Sequence, residues 1–369
     1  MKRRDFVKSL SVGAVASSSL LAGCQSGNDT ASGTNRTPAR KFKWDMVTTW
    51  PRNFPVLGTG ANLLAKMITE MSGGRIEVTV HGAKELVPAF GVFDAVSQGN
   101  AQMGHGAAYY WKGKSPTFQF FSSVPFGLTA QEMNGWMYYG GGLELWQEAY
   151  VPHGVLPLPA GNTGVQMGGW FNKQINSVED LKGLKMRIPG LGGDVLKRAG
   201  GTPVTLAGGD ILTSLSSGNI DATEWVGPYN DLAFGLHKAA KYYYYPGWHE
   251  PGTTLETIIN KKAYDALPAD LQSIVKTAAK AVNMDMLSEY TARNNQALQT
   301  LVNDHKVQLR RFPDEVMKKL KQYSDEIINE LAAKNPFSKK VHDSFGKFRD
   351  QVVAWHDISE RAFLNSRAR

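Results

Sequence analysis

Three short phrases in the middle of the chain carry side chains that could bind an anion. The phrases are GNTGVQMGGWF (161–171), LKGLKMRIPG (181–190) and GNIDATEWVGP (218–228), and they contain Gln166, Arg187 and the pair Glu224-Trp225. Each residue is expected at the end of an apolar, strand-like run. A guanidinium, a neutral amide and a carboxylate that converge at strand ends suit an anionic ligand with a metal counter-ion. Any one of them alone is more commonly a solvated side chain or a member of a surface ion pair.

The composition is that of a globular protein with more than one domain. The 369 residues are too many for one ordinary domain, and 42% of them are hydrophobic while 20% are charged. The net charge of +8 is spread along a long chain, so we expect no nucleic-acid partner. The same excess of positive charge is compatible with capture of small anions.

Several common kinds of site are excluded by the residues present. The single cysteine, Cys24, permits neither an internal disulfide nor a zinc site built from cysteines. The eight histidines are scattered without H-E-x-x-H spacing, and the sequence contains no G-x-G-x-x-G or G-x-x-x-x-G-K-[ST] phosphate loop. The run Gly140-Gly141-Gly142 is predicted to be an ordinary loop. A nucleotide-binding fold therefore has no motif to support it.

Residues 1–23 are predicted to be an export signal. A basic start is followed by a weakly apolar run that is too short and too polar for a membrane span. The phrase RRDFVK is similar to the twin-arginine signal, and LAGC (21–24) is similar to the lipobox of bacterial lipoproteins. We therefore expect a lipid on Cys24, the alternative being an incidental cysteine near an ordinary cleavage site. Residues 24–40 contain almost nothing apolar and are predicted to be a flexible tether.

Strand and helix patterns alternate in two rounds along the rest of the chain. Residues 41–160 are predicted to form a first lobe and 161–253 a second, each with a mostly parallel sheet. Residues 254–312 are expected to return to the first lobe with a long helix, and 313–369 to form C-terminal helices. The predicted fold is therefore α/β and two-lobed, with a hinge strand and long C-terminal helices.

One sequence pattern occurs once in each predicted lobe. AVSQGNAQMGHGAAYY (95–110) and SLSSGNIDATEWVGPY (214–229) share a helix end, the letters S-x-G-N, a short strand and an aromatic residue. Ligands of such sheets bind beyond the carboxyl ends of the strands or between lobes. The pattern therefore predicts that the aromatic run Tyr109-Tyr110-Trp111 lies opposite Glu224-Trp225.

These phrases resemble the solute receptors of tripartite ATP-independent periplasmic (TRAP) transporters. The resemblance is carried by ELVPAFGVFDAVSQGNAQMGHG (85–106), DLKGLKMRIPG (180–190) and SSGNIDATEW (216–225), and it covers about 41–330. It implies a periplasmic-binding-protein-like fold, a periplasmic location and membrane permease subunits as partners. Gln166 before GGWF and the phrase YYYYPGWHEPG (242–252) resemble the branch of the family that binds 2-oxo acids.

The resemblance implies a role for each residue in the predicted site. Arg187 would form a two-pronged salt bridge with the substrate carboxylate. Gln166, Glu224 and the main-chain oxygen of Trp225 would bind a cation, with substrate oxygens completing its shell. Glu250 would lie on the substrate side of this centre.

Two further residues complete the predicted site. Tyr110 and Asn162 are candidate substrate contacts, of which Tyr110 belongs to the aromatic run expected across the cleft. His249 departs from the more aromatic pattern that the resembling branch has at this position, which leaves the size of the ligand open.

Elementary chemistry agrees with those roles. Arginine offers five donors in a fixed fork that matches a carboxylate. A 2-oxo acid presents a carboxylate oxygen and the adjacent carbonyl oxygen, which together can chelate one hard cation. Ligands that are all oxygen favour Na⁺ or Ca²⁺ over a transition metal.

The expected function is that of an extracytoplasmic receptor for a small 2-oxo or 2-hydroxy monocarboxylate such as pyruvate. The alternative is a metal-dependent enzyme acting on 2-oxo acids. A catalyst needs a poised base or nucleophile, and no Ser-His or Cys-His arrangement is apparent, so we expect no enzyme. A structural surface lipoprotein is a third possibility, against which the aromatic, arginine-centred cleft argues.

The C-terminal helices predict a homodimer. They carry more apolar side chains than a short appendage needs to cover itself, and receptors in the resembling branch can pair by exchanging such a helix. The apolar positions are Val316, Leu320, Ile327, Ile328, Leu331, Phe345, Phe348, Val352 and Trp355.

Overall fold

The computed structural model describes residues 40–367, which form two sheets surrounded by helices. The predicted export signal, the lipobox with Cys24 and nearly all of the predicted tether lie outside the described residues. Among residues 40–367, no helix combines the length and the apolar character needed to cross a membrane.

The bounds of the elements within residues 40–367 are as follows. The strands are β1 (Phe42–Thr48), β2 (Ile76–His81), β3 (Met103–Gly106), β4 (Val155–Asn162), β5 (Gly169–Phe171), β6 (Lys185–Arg187), β7 (Thr202–Val204), β8 (Ala222–Thr223), β9 (Tyr242–Tyr245), β10 (Thr254–Asn260) and β11 (Gln308–Arg311). The helices are α1 (Leu57–Met71), α2 (Val92–Ser97), α3 (Ala130–Tyr139), α4 (Gly142–Tyr150), α5 (Gly190–Arg198), α6 (Ile211–Ser216), α7 (Pro228–Phe234), α8 (Lys261–Asp265), α9 (Ala269–Gln299), α10 (Asp314–Ala332), α11 (Pro336–Ile358) and α12 (Glu360–Arg367).

The two sheets confirm the predicted α/β fold and define two lobes. The first has the strand order β2-β1-β3-β10-β4, and the second has the order β11-β9-β5-β8-β6-β7. Both sheets are mixed rather than mostly parallel, because β10 is antiparallel to β3 and β4, and β5 is antiparallel to β8 and β9. The chain leaves the first lobe along β4 and returns along β10, and two neighbouring crossings in opposite directions must pair antiparallel.

Both crossings continue one hydrogen-bond ladder beyond the first sheet. Asn162 pairs with Thr254 in the sheet, the amide of Thr163 donates to the carbonyl of Thr253 over 3.0 Å, and that of Gln166 donates to the carbonyl of Glu250 over 3.1 Å. The register is therefore unbroken from the pair Asn162 and Thr254 to Gln166 and Glu250.

The repeated sequence pattern corresponds to a repeated piece of structure. In the first lobe α2 ends before Gly99 and β3 follows, and in the second lobe α6 ends before Gly218 and β8 follows. Gly99 has φ of +80° and Gly218 has φ of +74°, a left-handed conformation that glycine adopts at little cost at a helix end. The S-x-G-N letters therefore mark the same helix stop in both lobes.

Two predicted boundaries differ from the structure. The run Gly140-Gly141-Gly142 is not only a loop, because Gly142 begins α4, which packs in the core of the first lobe through the buried side chains of Trp146 and Tyr150. The segment 254–312 does not return wholly to the first lobe, because β11 pairs in parallel with β9 in the second sheet.

The C-terminal helices are largely covered by their own chain. Helix α10 contacts α5 of the second lobe, and α11 contacts α3 and α4 of the first. The buried members of the predicted apolar set are Val316, Leu320, Ile327, Ile328, Leu331 and Phe345, while Phe348 and Val352 are partly buried against the same core. Of that set only Trp355 is exposed, so most of these residues require no partner to cover them.

Candidate functional site

Arg187 and Glu224 meet at one edge of the second sheet. Arg187 is the last residue of β6, and Glu224 directly follows β8. The two strands are parallel, with Arg187 opposite Thr223, so their carboxyl ends lie at the same edge. The predicted placement of both residues at strand ends is confirmed.

Gln166 reaches the same edge by a different route. It precedes β5 instead of ending a strand, which differs from the prediction. Since β5 is antiparallel to β8, with Trp170 opposite Thr223, the chain before β5 lies beside the chain after β8. The amide of Met167 accordingly donates to the carbonyl of Val226 over 3.0 Å.

The guanidinium of Arg187 is buried, and each of its three nitrogens donates a hydrogen bond. Its side chain is 1% exposed, and Nη1 forms a salt bridge with Oε1 of the equally buried Glu224. The same nitrogen donates to the main-chain oxygen of Glu224 over 3.2 Å, Nε donates to the carbonyl of Leu206 over 3.3 Å, and Nη2 donates to the hydroxyl of Tyr110 over 3.4 Å. The orientation of the guanidinium is therefore set by residues of both lobes.

Gln166 and Glu250 form a second polar group beside this pair. Nε2 of Gln166 donates to Oε2 of Glu250 over 2.8 Å and to the hydroxyl of Thr163 over 3.1 Å, while Thr253 donates to the same carboxylate oxygen over 2.5 Å. All of these side chains are buried. The amide oxygen of Gln166 has no hydrogen-bond partner among residues 40–367.

Two buried carboxylates and an imidazole lie together where the two groups meet. The ligand atoms of Glu224, His249 and Glu250 lie within 4.8 Å of one another. Burial and, secondly, the charge of Glu224 raise the pKa of Glu250 to about 7. One positive guanidinium thus faces two carboxyl groups in a site closed to water, and any anionic ligand would add a further negative charge.

Aromatic side chains from both lobes close the site. The ring of Trp225 lies against the guanidinium of Arg187, with 5.1 Å between Cζ and the ring centroid. Trp50 lies 6.2 Å from Tyr110 and 6.3 Å from Trp225, ring centre to ring centre. Burial raises the pKa of Tyr110 above its usual value, which keeps its hydroxyl a neutral hydrogen-bonding group.

Two predicted positions lie elsewhere than expected. Trp111 does not face Glu224, because its indole N–H donates to Glu256 in the hinge strand β10. Asn162 is buried in the crossing: its amide donates to the carbonyl of Gly252 over 3.2 Å, and its side-chain oxygen accepts from the amide of Gly164 over 2.9 Å. Its polar atoms are therefore engaged by the hinge backbone, and no described contact joins it to Arg187.

Sequence reasoning missed the residue that holds the Glu224 loop. Asp231 accepts hydrogen bonds from the amide of Val226 (3.2 Å), the indole of Trp170 (2.9 Å) and the hydroxyl of Tyr243 (2.6 Å). Burial raises the pKa of Asp231 to about 6. Its signal in the sequence is weak, since an aspartate in the first turn of a helix is common.

The oxygen atoms in the site fit the cation that was predicted. Oε1 of Gln166 and Oε2 of Glu224 are both buried, and neither has a hydrogen-bond partner within the described part of the chain. Unsatisfied buried oxygens beside a second carboxylate form a donor set that Na⁺ or Ca²⁺ prefers. The side chains of Gln166 and Glu224 and the main chain of Trp225 would hold the ion, and Glu250 is close enough to join them.

A separate groove of about 740 Å³ lies between the first lobe and helices α5 and α10. Lys112, Asp194, Arg198 and Glu330 are among the residues that line it. None of the predicted site residues lines this groove. We therefore place the site at the buried cluster around Arg187, where the unsatisfied polar atoms are.

Comparison with known proteins shows the family. Residues 46–335 match the model of the DctP family, described as bacterial extracellular solute-binding protein, family 7. A curated relative, the monocarboxylate 2-oxoacid-binding periplasmic protein of Nostoc sp., is 44% identical over 367 residues, which are 99% of this chain and 98% of the relative.

Two solved structures are similar in both sequence and fold. A TRAP periplasmic solute-binding protein from Pseudoalteromonas atlantica, described with bound sodium and pyruvate, is 47% identical with a TM-score of 0.87. Another from Colwellia psychrerythraea, described with bound calcium and pyruvate, is 47% identical with a TM-score of 0.86. Each comparison covers 89% of this chain and 100% of the other. The chain therefore belongs to the DctP family of bacterial extracellular solute-binding proteins, the solute receptors of TRAP transporters.

Proposed function

We propose that this protein captures a small 2-oxo or 2-hydroxy monocarboxylate, with pyruvate as the reference ligand, together with Na⁺ or Ca²⁺. The observation that carries the proposal is the buried Arg187 fork beside the unsatisfied oxygens of Gln166 and Glu224. The similar proteins described with pyruvate and sodium or calcium support the same ligands here.

The chain's own residues would bind the ligand as follows. Arg187 donates to the ligand carboxylate, and Tyr110 and Trp225 seal the guanidinium from water. The cation, when bound, offsets the charge of the carboxylates and accepts the 2-oxo oxygen as a ligand. The hydrogen bonds that extend the pairing of β4 and β10 hold Gln166 and Glu250 in place. Since β4 and β10 connect the two lobes, the ligand would be bound where the lobes meet.

Capture also requires the lobes to remain closed around the ligand. Tyr110 of the first lobe contacts Arg187 of the second, and two ion pairs cross the cleft: Lys84 with Asp210 over 2.7 Å and Lys112 with Asp194 over 3.3 Å. Exposed pairs contribute only about 0–1 kcal/mol each. Closure is therefore expected to depend mainly on the buried contacts around the ligand.

Since the family consists of solute receptors of TRAP transporters, the receptor is expected to deliver its ligand to the membrane subunits of such a transporter. A receptor of this kind releases its ligand chemically unchanged. The DctP family is extracellular, and we propose that a lipid on Cys24 tethers this member to a membrane.

We also propose a homodimer. Trp355, Ile358, Phe363 and Leu364 are exposed on α11 and α12, and this apolar surface suits a second copy of the chain.

Calorimetry on the purified protein tests the central proposal. After removal of bound ions with a chelator, pyruvate is titrated in buffers that contain K⁺ alone, K⁺ with Na⁺, or K⁺ with Ca²⁺. We expect tight binding only when Na⁺ or Ca²⁺ is present, and much weaker binding of propionate, which lacks the 2-oxo oxygen. Equal affinity in all three buffers would overturn the role of the cation, and consumption of pyruvate during the titration would indicate an enzyme.

A further inference from the structure

His249 is a buried histidine whose ring nitrogens lack hydrogen-bond partners within residues 40–367. Its side chain is 0% exposed, and Nε2 lies 3.5 Å from Oε2 of Glu224, which is too long for a good N–H···O hydrogen bond. A buried polar group left without a partner costs roughly 1–3 kcal/mol. A molecule that enters the site is the natural source of the missing partner.

The position of the imidazole is fixed by its surroundings. The first turn of α5 packs directly against it: a Cβ added at Gly192 would lie 2.9 Å from the Cβ of His249. The ring of Trp248 lies 5.4 Å from the imidazole, at an angle of 70°. The backbone of α5 therefore lies close against the Cβ of His249, while the ring packs beside Trp248 in a fully buried position.

Glu224 separates His249 from Arg187. One oxygen of its carboxylate contacts the guanidinium, and the other faces the imidazole. If its carboxylate binds Arg187 and its 2-oxo oxygen shares a cation with Glu224, a ligand would continue past Glu224 on the side of His249. The atom that follows the 2-oxo carbon, C3 of the ligand, then carries whatever group meets the imidazole.

We propose that His249 donates a hydrogen bond to an oxygen on C3 of the ligand and thereby makes the receptor prefer 2-oxo acids with a polar C3 substituent. The inference rests on the proposed function and deepens it, since it assigns a substrate class within the 2-oxo acids. An imidazole has an N–H donor whether it is neutral or protonated. A site built to bond an oxygen discriminates against an analogue that lacks it, because its own buried group is then unpaired.

Two ligands of equal size provide the test. Hydroxypyruvate and 2-oxobutanoate differ only by a hydroxyl in place of a methyl on C3, and pyruvate, which has neither, is the reference. Calorimetry with Na⁺ or Ca²⁺ present should show that the wild-type protein binds hydroxypyruvate about tenfold or more tightly than 2-oxobutanoate. Equal affinities, or a preference for 2-oxobutanoate, would overturn the inference while leaving pyruvate binding, and with it the proposed function, intact.

Two variants assign the preference to the imidazole. His249→Phe keeps an aromatic ring but has no hydrogen-bond donor, so it should bind hydroxypyruvate and 2-oxobutanoate with similar affinities. His249→Gln restores an N–H at similar reach and should recover part of that ratio. Retention of the full ratio in His249→Phe would overturn the inference, and so would loss of bound Ca²⁺ from that variant in equilibrium dialysis, since His249 would then be a metal ligand.

Discussion

The guanidinium of Arg187 is paired directly with the carboxylate of Glu224, and both side chains are 1% exposed. Sequence reasoning assigned the arginine to the ligand and the glutamate to the cation, without a contact between them. The pair has a consequence for binding, because an arginine already neutralised by Glu224 attracts an anion weakly. A cation that engages Glu224 would restore that attraction, so ligand and cation should bind together.

Arg187→Lys tests the arginine fork. Lysine keeps the charge but cannot bond a carboxylate through two parallel N–H groups. We expect the free energy of pyruvate binding to weaken by about 2–4 kcal/mol in calorimetry. Arg198→Lys is the matched control, since Arg198 pairs with Glu326 and Glu330 at the surface. Unchanged affinity in Arg187→Lys would remove Arg187 from the site.

Glu256 should make the stability of the protein depend on pH. Burial raises the pKa of this carboxyl to about 8 from its usual 4.5, so between those values the folded state holds a proton that the unfolded state has released. Its contribution to the free energy of unfolding is therefore largest at low pH and falls as pH rises from about 4.5 to 8.

The variant Glu256→Gln should remove this dependence. The amide oxygen can accept from Trp111, and the amide nitrogen can donate to Tyr150, whose hydroxyl lies 2.9 Å from the present carboxylate. In urea unfolding at pH 5 and pH 8, we expect the difference between the two pH values to shrink by on the order of 1–3 kcal/mol relative to wild type. An identical pH slope in both proteins would contradict the raised pKa.

The exposed apolar residues of α11 and α12 test the dimer. Trp355 and Phe363 are each 61% exposed, and the double substitution of both by serine should convert dimers into monomers in light scattering at micromolar concentration. Tyr139→Ser is the control, because this aromatic side chain is 95% exposed on α3. A wild-type protein that is already monomeric would refute the dimer. Deletion of 338–369 is less informative, since α11 also covers the first lobe through the buried Val341 and Phe345.

Cys24 provides a test of the membrane tether. Cys24→Ser removes the sulfur that a lipid would occupy, so the variant should move from the membrane fraction to the soluble extracytoplasmic fraction. Mass spectrometry of the mature N-terminus should show a lipid on the wild type alone. A wild-type protein that is already soluble, with an unmodified N-terminus, would rule out the lipid.

The sequence predicted elements better than it predicted contacts. Arg187 and Glu224 were correctly placed at strand ends, because apolar runs that stop at one polar residue are a local signal. Gln166 lies in the site because it precedes β5, which is antiparallel to β8. The local sequence pattern does not indicate the direction in which a strand runs. Trp111 was wrongly assigned to the cleft because its partner, Glu256, lies in a hinge strand far along the chain.

The burial of the C-terminal helices was also beyond local reasoning. The pattern of Val316, Leu320 and Ile327 identifies an apolar face, but it does not say whether that face is covered by the same chain or by another copy. The structure places it against the chain's own core. Only tertiary packing distinguishes these outcomes. The apolar face by itself was therefore weaker support for a dimer than the sequence suggested.

Glu224→Gln distinguishes most clearly between a site that binds its ligand together with a cation and a site that binds it through Arg187 alone. Without a cation, the ionised Glu224 both neutralises Arg187 and repels the ligand, and two like charges about 4 Å apart cost roughly 4 kcal/mol at an effective dielectric constant of 20. The uncharged variant should then bind the anion more tightly. If a cation is bound, the same variant loses a ligand of that cation, and pyruvate and the metal should be lost together.

One series of titrations can show whether Glu224→Gln binds the ligand more tightly or more weakly than the wild-type protein. Pyruvate and propionate are titrated into wild type and Glu224→Gln with Ca²⁺ present, and bound Ca²⁺ is measured by equilibrium dialysis. We expect weaker pyruvate binding and less bound Ca²⁺ in the variant, and a smaller change for propionate, which has no 2-oxo oxygen to share with the cation. Tighter binding of both acids by the variant would instead mean that Arg187 acts without a metal, because removal of Glu224's charge would then free the guanidinium for the ligand.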